Sequence, residues 1–95
     1  MANKTKLEVF EKKAEILKAI AHPTRLRILK GLIEDGPSNV KSLRVDSHVH
    51  KATISQHLTR MKAVKIISGK RKGTQIIYSI NDIYGIVDSI KAYLV

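Results

Sequence analysis

The 95-residue sequence contains no cysteine, and that absence removes disulfides, thiolate metal ligands, sulfur-based redox sensing and cysteine nucleophiles together. Aromatic residues make up 4%, with none between Phe10 and Tyr78, so the bases of a single strand would find no aromatic platform interleaved with cations. Tyr78, Tyr84 and Tyr93 are instead assigned to strand packing and a subunit interface. No apolar run approaches membrane-spanning length, and residues 1–6 lead into charged helical sequence without an apolar signal core, from which a cytoplasmic location is expected. Neither a Gly-rich phosphate loop nor a paired-carboxylate signature occurs. Ser55 and His57 are too close in sequence to indicate a nucleophile and its base, so no catalytic reading survives.

Acidic residues are missing locally. Lys and Arg total 18 against 8 Asp and Glu, a formal charge of +10, which favours a polyanionic partner, either nucleic acid or an anionic membrane surface. From Ser47 to Asn81 there is no acid at all, while Lys51, Arg60, Lys62, Lys65, Lys70, Arg71 and Lys72 all lie there. Charge gathered in this way is unlike general solubilising charge. A hydrophobic fraction of 43% with regular patterning implies a folded chain, read as a single domain over residues 1–95, of a size at which pairing with a second copy is a common way to bury more apolar surface.

Leu7, Phe10, Ala14, Leu17 and Ala21 recur at helical spacing and predict a first amphipathic helix over about residues 6–21. His22 and Pro23 punctuate it, Pro suiting the first position of a second helix and His22 its cap. Leu26, Leu29, Leu32 and Ile33 carry that helix to the Asp35-Gly36-Pro37 turn. A short third helix is expected after a cap at Ser38 or Asn39, with Val40, Leu43 and Val45 inward. Ile54, Leu58 and Met61 give a fourth, ending near Ala63. The period then shortens: Ile66-Ile67 and the stretch from Gln75 to Ile80 predict two strands around a glycine-bounded basic loop, Gly69 to Gly73. A last helix, capped by Asn81 or Ser79, is predicted to carry Ile83, Ile86, Val87, Ile90 and Leu94 on one stripe. The order is α-α-α-α-β-β-α, a mostly helical α+β fold.

With Ile54, Leu58 and Met61 turned inward, Ala52, Ser55, Gln56 and Thr59 face out. Short side chains let a helix backbone approach the major groove, and an amide such as Gln56 pairs bidentately with an adenine edge. Lys51 before this face, with Arg60 and Lys62 beyond it, can reach phosphates. A solvated polar face is the ordinary alternative, but a tight turn before and a basic hairpin after make a helix-turn-helix with a wing. Lys70, Arg71 and Lys72 form the wing, which meets the minor groove or flanking phosphates.

The run Lys18-Ala19-Ile20-Ala21-His22-Pro23-Thr24-Arg25-Leu26-Arg27-Ile28-Leu29, then Thr53-Ile54-Ser55-Gln56-His57-Leu58, then Gly73 through Ile80, resembles the ArsR/SmtB family of bacterial transcriptional repressors over about residues 12–94. That resemblance implies a homodimer joined through the first and last helices, here Leu7, Phe10, Ala14, Leu17, Ile83, Ile86, Val87, Ile90 and Leu94. It also implies base contacts from Lys51, Ala52, Ser55 and Gln56, and repression at a palindromic operator. By that resemblance both of the family's metal sites are broken: Asn39 and Lys41 stand where a third-helix cysteine pair would align, and in the last-helix site Asp82 matches the first carboxylate but Tyr84 stands where a histidine is expected, with the chain ending at Val95 where a second histidine would fall. The resemblance therefore points to metal-independent members, with no metal, no cofactor and no membrane partner expected.

His48, His50 and His57 are spaced poorly for a preformed metal site. The expectation is a dimeric, sequence-specific binder of double-stranded DNA, most simply a repressor. A low-specificity architectural DNA binder and a winged-helix protein-interaction module are the alternatives.

Overall fold

A computed structural model describes residues 5–43 and 49–94. Helix α1 (Lys6–Ile20) begins at a reciprocal cap in which the Thr5 hydroxyl accepts from the Glu8 N–H and the Glu8 carboxylate accepts from the Thr5 N–H. Helix α2 (Pro23–Asp35) is capped as expected, His22 Nδ1 accepting from the Thr24 N–H at 3.1 Å with Pro23 at the first helical position. Of the short helix expected next, the first turn is described: Asn39 rather than Ser38 caps it, its Oδ1 accepting from the Ser42 N–H, and the Leu43 N–H donates back to the Asn39 carbonyl. Ser38 is instead bridged to Tyr78, each N–H donating to the other's carbonyl. Val45 and His48 lie outside the described residues.

Helix α3 (Lys51–Ala63) is followed by strands β1 (Ile67–Lys72) and β2 (Gln75–Ile80), paired antiparallel from Ile67 opposite Ile80 to Lys72 opposite Gln75. The connection is Gly73-Thr74, with Gly73 at φ 65°, as two-residue hairpins with glycine in the first central position require. The expected basic loop is therefore strand: Lys70, Arg71 and Lys72 are paired with Ile77, Ile76 and Gln75. Gly69 belongs inside β1 for a packing reason. A Cβ there would lie 3.0 Å from Cγ2 of Ile76 and 3.3 Å from Cε1 of Tyr78, so the missing side chain lets the Tyr78 ring cross the neighbouring strand.

The last helix starts later than the sequence suggests and is capped by a different residue. Asn81 and Ser79 are engaged elsewhere, with the Lys65 carbonyl and the Ser68 hydroxyl. Asp82 does the capping, its two carboxylate oxygens accepting from the Val87 and Asp88 N–H groups. Helix α4 (Ile86–Ile90) thus begins after a turn that leaves Ile83 outside it and exposed, and its continuation Lys91–Leu94 tightens to a 3-10 turn.

The core gathers one side of each element. Ile16 and Ile20 of α1, Ile28, Leu29 and Leu32 of α2, and Ile54, Leu58 and Met61 of α3 are buried with Leu43, Ile66, Ile67, Tyr78 and Val87. Among the described residues no polar or charged residue is buried. What this core positions is the opposite face of α3 and the hairpin beside it.

Candidate nucleic-acid interface

Helix α3 is held at its C-terminal end more firmly than at its start. The Lys65 N–H donates to the Lys62 carbonyl and the Ile66 N–H to the Met61 carbonyl, a Schellman arrangement with Lys65 left-handed at φ 62°. Asn81 completes the lock, its amide donating to the Lys65 carbonyl at 3.0 Å. At the other end His50 takes the cap position without a side-chain hydrogen bond, and no acid occupies the first turn. Partly unsatisfied N–H groups and Lys51 therefore make this end electropositive.

Lys51, Ala52, Gln56, Thr59 and Arg60 are exposed, and Ser55 is half-buried at the edge of the face. Thr59 is less free than its exposure suggests, because its hydroxyl donates to the Ser55 carbonyl at 2.9 Å. Among the described residues none of Lys51, Arg60, Lys70, Arg71 and Lys72 has an ion-pair partner; the salt bridge present is Lys12 with Glu15, at 3.8 Å on α1.

The hairpin presents its cations on both faces. Pairing puts Arg71 with Ile76 and Tyr78 on one side of the pleat, and Lys70 and Lys72 with Ile77 and Gln75 on the other. A basic ribbon therefore replaces the basic tip expected from sequence. Between the ribbon and the start of α3 runs a cleft of about 320 Å³ lined by Asn39, Lys41, Lys51, Ser55, Gln75 and Ile76 among others. Asn39 donates across it to Oε1 of Gln75 at 3.0 Å, tying the turn before α3 to the hairpin. The sequence gives Asn39, Lys41 and Gln75 no place on the nucleic-acid face. A polar pair 36 residues apart leaves no periodic trace there, although Gln75 beside the Gly73 turn was a visible position.

At the positions that the resemblance aligns with family metal ligands, the structure shows other side chains and other bonds. Asn39 has both ends of its amide engaged, Lys41 is a cation, and both Asp82 oxygens serve the cap of α4. His50 is exposed at the start of α3 while His57 turns toward Arg25, and among the described residues no three His, Cys, Asp or Glu side chains come together. Also among them, no helix is long and apolar enough to cross a membrane.

The nine residues assigned to a subunit interface divide in two. Leu7, Phe10, Ala14 and Leu17 on α1 and Ile83 near the C-terminal helix are exposed, Phe10 at 63% and Leu17 at 50%. Ile86, Ile90 and Leu94 are half-buried against the core, and Val87, 4% exposed, is inside it.

Helix, turn, helix and basic hairpin in this arrangement define a winged helix-turn-helix domain. The family model for bacterial regulatory proteins of the arsR family matches residues 22–68. The transcriptional repressor PagR of Bacillus anthracis is 39% identical over 72 residues, covering 76% of this chain and 72% of that one. An uncharacterized HTH-type transcriptional regulator of Methanocaldococcus jannaschii is 41% identical over 76 residues, covering 80% and 85%. The crystal structure of PagR superposes with a TM-score of 0.80 at 34% identity, over 93% of this chain and 99% of that one. The chain belongs to the ArsR family of bacterial regulatory proteins, which places it among transcriptional regulators and not enzymes.

Proposed function

We propose that the protein is a homodimeric repressor that binds a palindromic operator in double-stranded DNA, with α3 in the major groove, the hairpin on the minor groove or flanking phosphates, and no metal in its sites. The observation that carries this reading is the shared cleft: the start of α3, through Lys51 and Ser55, and the hairpin, through Thr74, Gln75 and Ile76, open onto one surface, in a stretch of chain that holds no acid from Ser47 to Asn81. In this reading Gln56 and Ser55 meet base edges, Ala52 lets the backbone approach, and Lys51, Thr59 and Arg60 hold the sugar-phosphate chain. Lys70, Arg71 and Lys72 add phosphate contacts from both faces of the ribbon. Resemblance to PagR, itself described as a transcriptional repressor, supports repression. The exposed apolar side chains Leu7, Phe10, Leu17 and Ile83 support pairing of two copies. The Asp82 cap and the engaged Asn39 amide support independence from metal.

Selection from a random duplex library, followed by titration of the selected and a mixed-sequence duplex across salt, tests the reading. The expected result is tighter binding to the selected duplex by about a thousandfold or more, with both affinities falling as salt rises. Equal affinity for both duplexes would favour an architectural binder, and no shift even at low salt would favour a protein-interaction module.

A further inference from the structure

Away from the cleft, one polar cluster joins three helices. Arg25 stands in the first turn of α2, the end of a helix dipole that disfavours a cation, and no acid in that turn compensates it. Its guanidinium is nevertheless half-buried and engaged twice: Nη1 donates to the Ala19 carbonyl at 2.8 Å, and Nε donates to Nδ1 of His57 at 3.0 Å. The Ala19 carbonyl belongs to the last turn of α1, which has no intrahelical donor for it. His57 follows Gln56 on α3, and its ring lies against that of His22, with centroids 4.6 Å apart. A guanidinium has only donors, so Nδ1 of His57 accepts and the neutral ring carries its proton on Nε2.

We infer that Arg25 is a positioning residue for the DNA-reading helix: by bridging the Ala19 carbonyl and the His57 imidazole it locks the end of α1 to the flank of α3, and the lock opens when His57 takes a proton. The inference rests on the reading of α3 as the DNA-contacting element and adds its regulation. It makes the orientation of α3 follow the helix whose exposed side is assigned to the subunit interface.

The surroundings of His57 favour the closed lock. His22 and Arg25 face it from the start of α2, Arg60 from its own helix, and Glu15 and Lys18 of α1 line the shallow cleft that Arg25 and Arg60 share. Burial first, then His22, Arg25 and Arg60, hold the imidazole below its ordinary value of 6.5. A proton on Nδ1 would set donor against donor. Because the folded value is the lower one, this contribution to stability is complete above about 6.5 and is lost as pH falls toward the lowered folded value.

The test compares a duplex selected by the wild-type chain with a mixed-sequence duplex in steps from about pH 8 down to about pH 4.5, so that the series runs well below the ordinary histidine value that the folded imidazole undercuts. Wild type is expected to lose selectivity toward the acid end. Arg25→Lys keeps the charge but lacks the rigid fork, and should lose about tenfold in selectivity while mixed-sequence affinity stays within about twofold. His57→Asn places an amide oxygen near the Nδ1 position without a titrating group. It should keep wild-type selectivity at about pH 8 and hold it to the acid end of the series. Wild-type selectivity in Arg25→Lys, equal losses on both duplexes, or an unaltered pH profile in His57→Asn would each overturn the lock. If Arg25→Lys does not fold, the His57→Asn profile decides alone. A wild-type chain that selects no duplex would overturn the DNA reading itself, a failure distinct from these.

Discussion

Gln56 is the side chain on which base selectivity rests in this account, since it is exposed on α3 and offers an amide able to pair with a base edge at two points. Replacing Gln56 with Ala is expected to reduce discrimination at one position of the selected duplex by about 1–3 kcal/mol, with little change on mixed sequence. Competition binding with single-position variants of the duplex checks this, and equal losses on every sequence would count against it. Gly69 makes a different demand. An added methyl would press on Ile76 and the Tyr78 ring, so Gly69→Ala should lower stability by about 1–3 kcal/mol in urea unfolding.

Among the elements, the end of α3 stores the clearest strain. Lys65 is the non-glycine residue at positive φ among those described, held there by the Schellman bonds and by Asn81. Lys65→Gly should therefore raise stability by about 0.5–1 kcal/mol, after allowing for the extra freedom of an unfolded glycine, as read by a higher urea midpoint with unchanged slope. The same element-level view explains what was legible in the sequence. Periodicity located α1, α2 and α3 because their buried positions recur within the element itself, and His22 was readable as a cap because its partner is two residues away. A glycine that makes room for a ring on the next strand, as Gly69 does, looks in sequence like a loop boundary, and the pattern then assigns Lys70 to Lys72 to the loop although they are strand. Asp82 was missed as a cap because its side chain reaches forward over a turn to Val87 and Asp88. Contacts such as Asn39 with Gln75 and Arg25 with His57 depend on the tertiary fold and leave no local pattern.

At the scale of the whole molecule, the exposed apolar residues of α1 and the basic hairpin belong to different elements. Leu7, Phe10 and Leu17 are exposed along one side of α1, while Lys41 and Lys51 line the cleft and Lys70, Arg71 and Lys72 stand on the two faces of the hairpin. Joining two copies through the apolar side would leave both basic surfaces free, and a two-fold pair reads a two-fold site. Sedimentation of wild type is expected to show a dimer, and Phe10→Glu combined with Leu17→Glu a folded monomer whose selective binding is much weakened. A double variant that remains dimeric would move the interface elsewhere.

Hydroxyl-radical footprinting on the selected duplex reads helix, hairpin and symmetry at once. The account predicts two protected half-sites related by a two-fold axis, with centres about one helical turn apart or a multiple of it, and flanking protection that is lost when Lys70, Arg71 and Lys72 are changed to Ala. A single unphased protected stretch, indifferent to sequence and to the Gln56→Ala change, would contradict it.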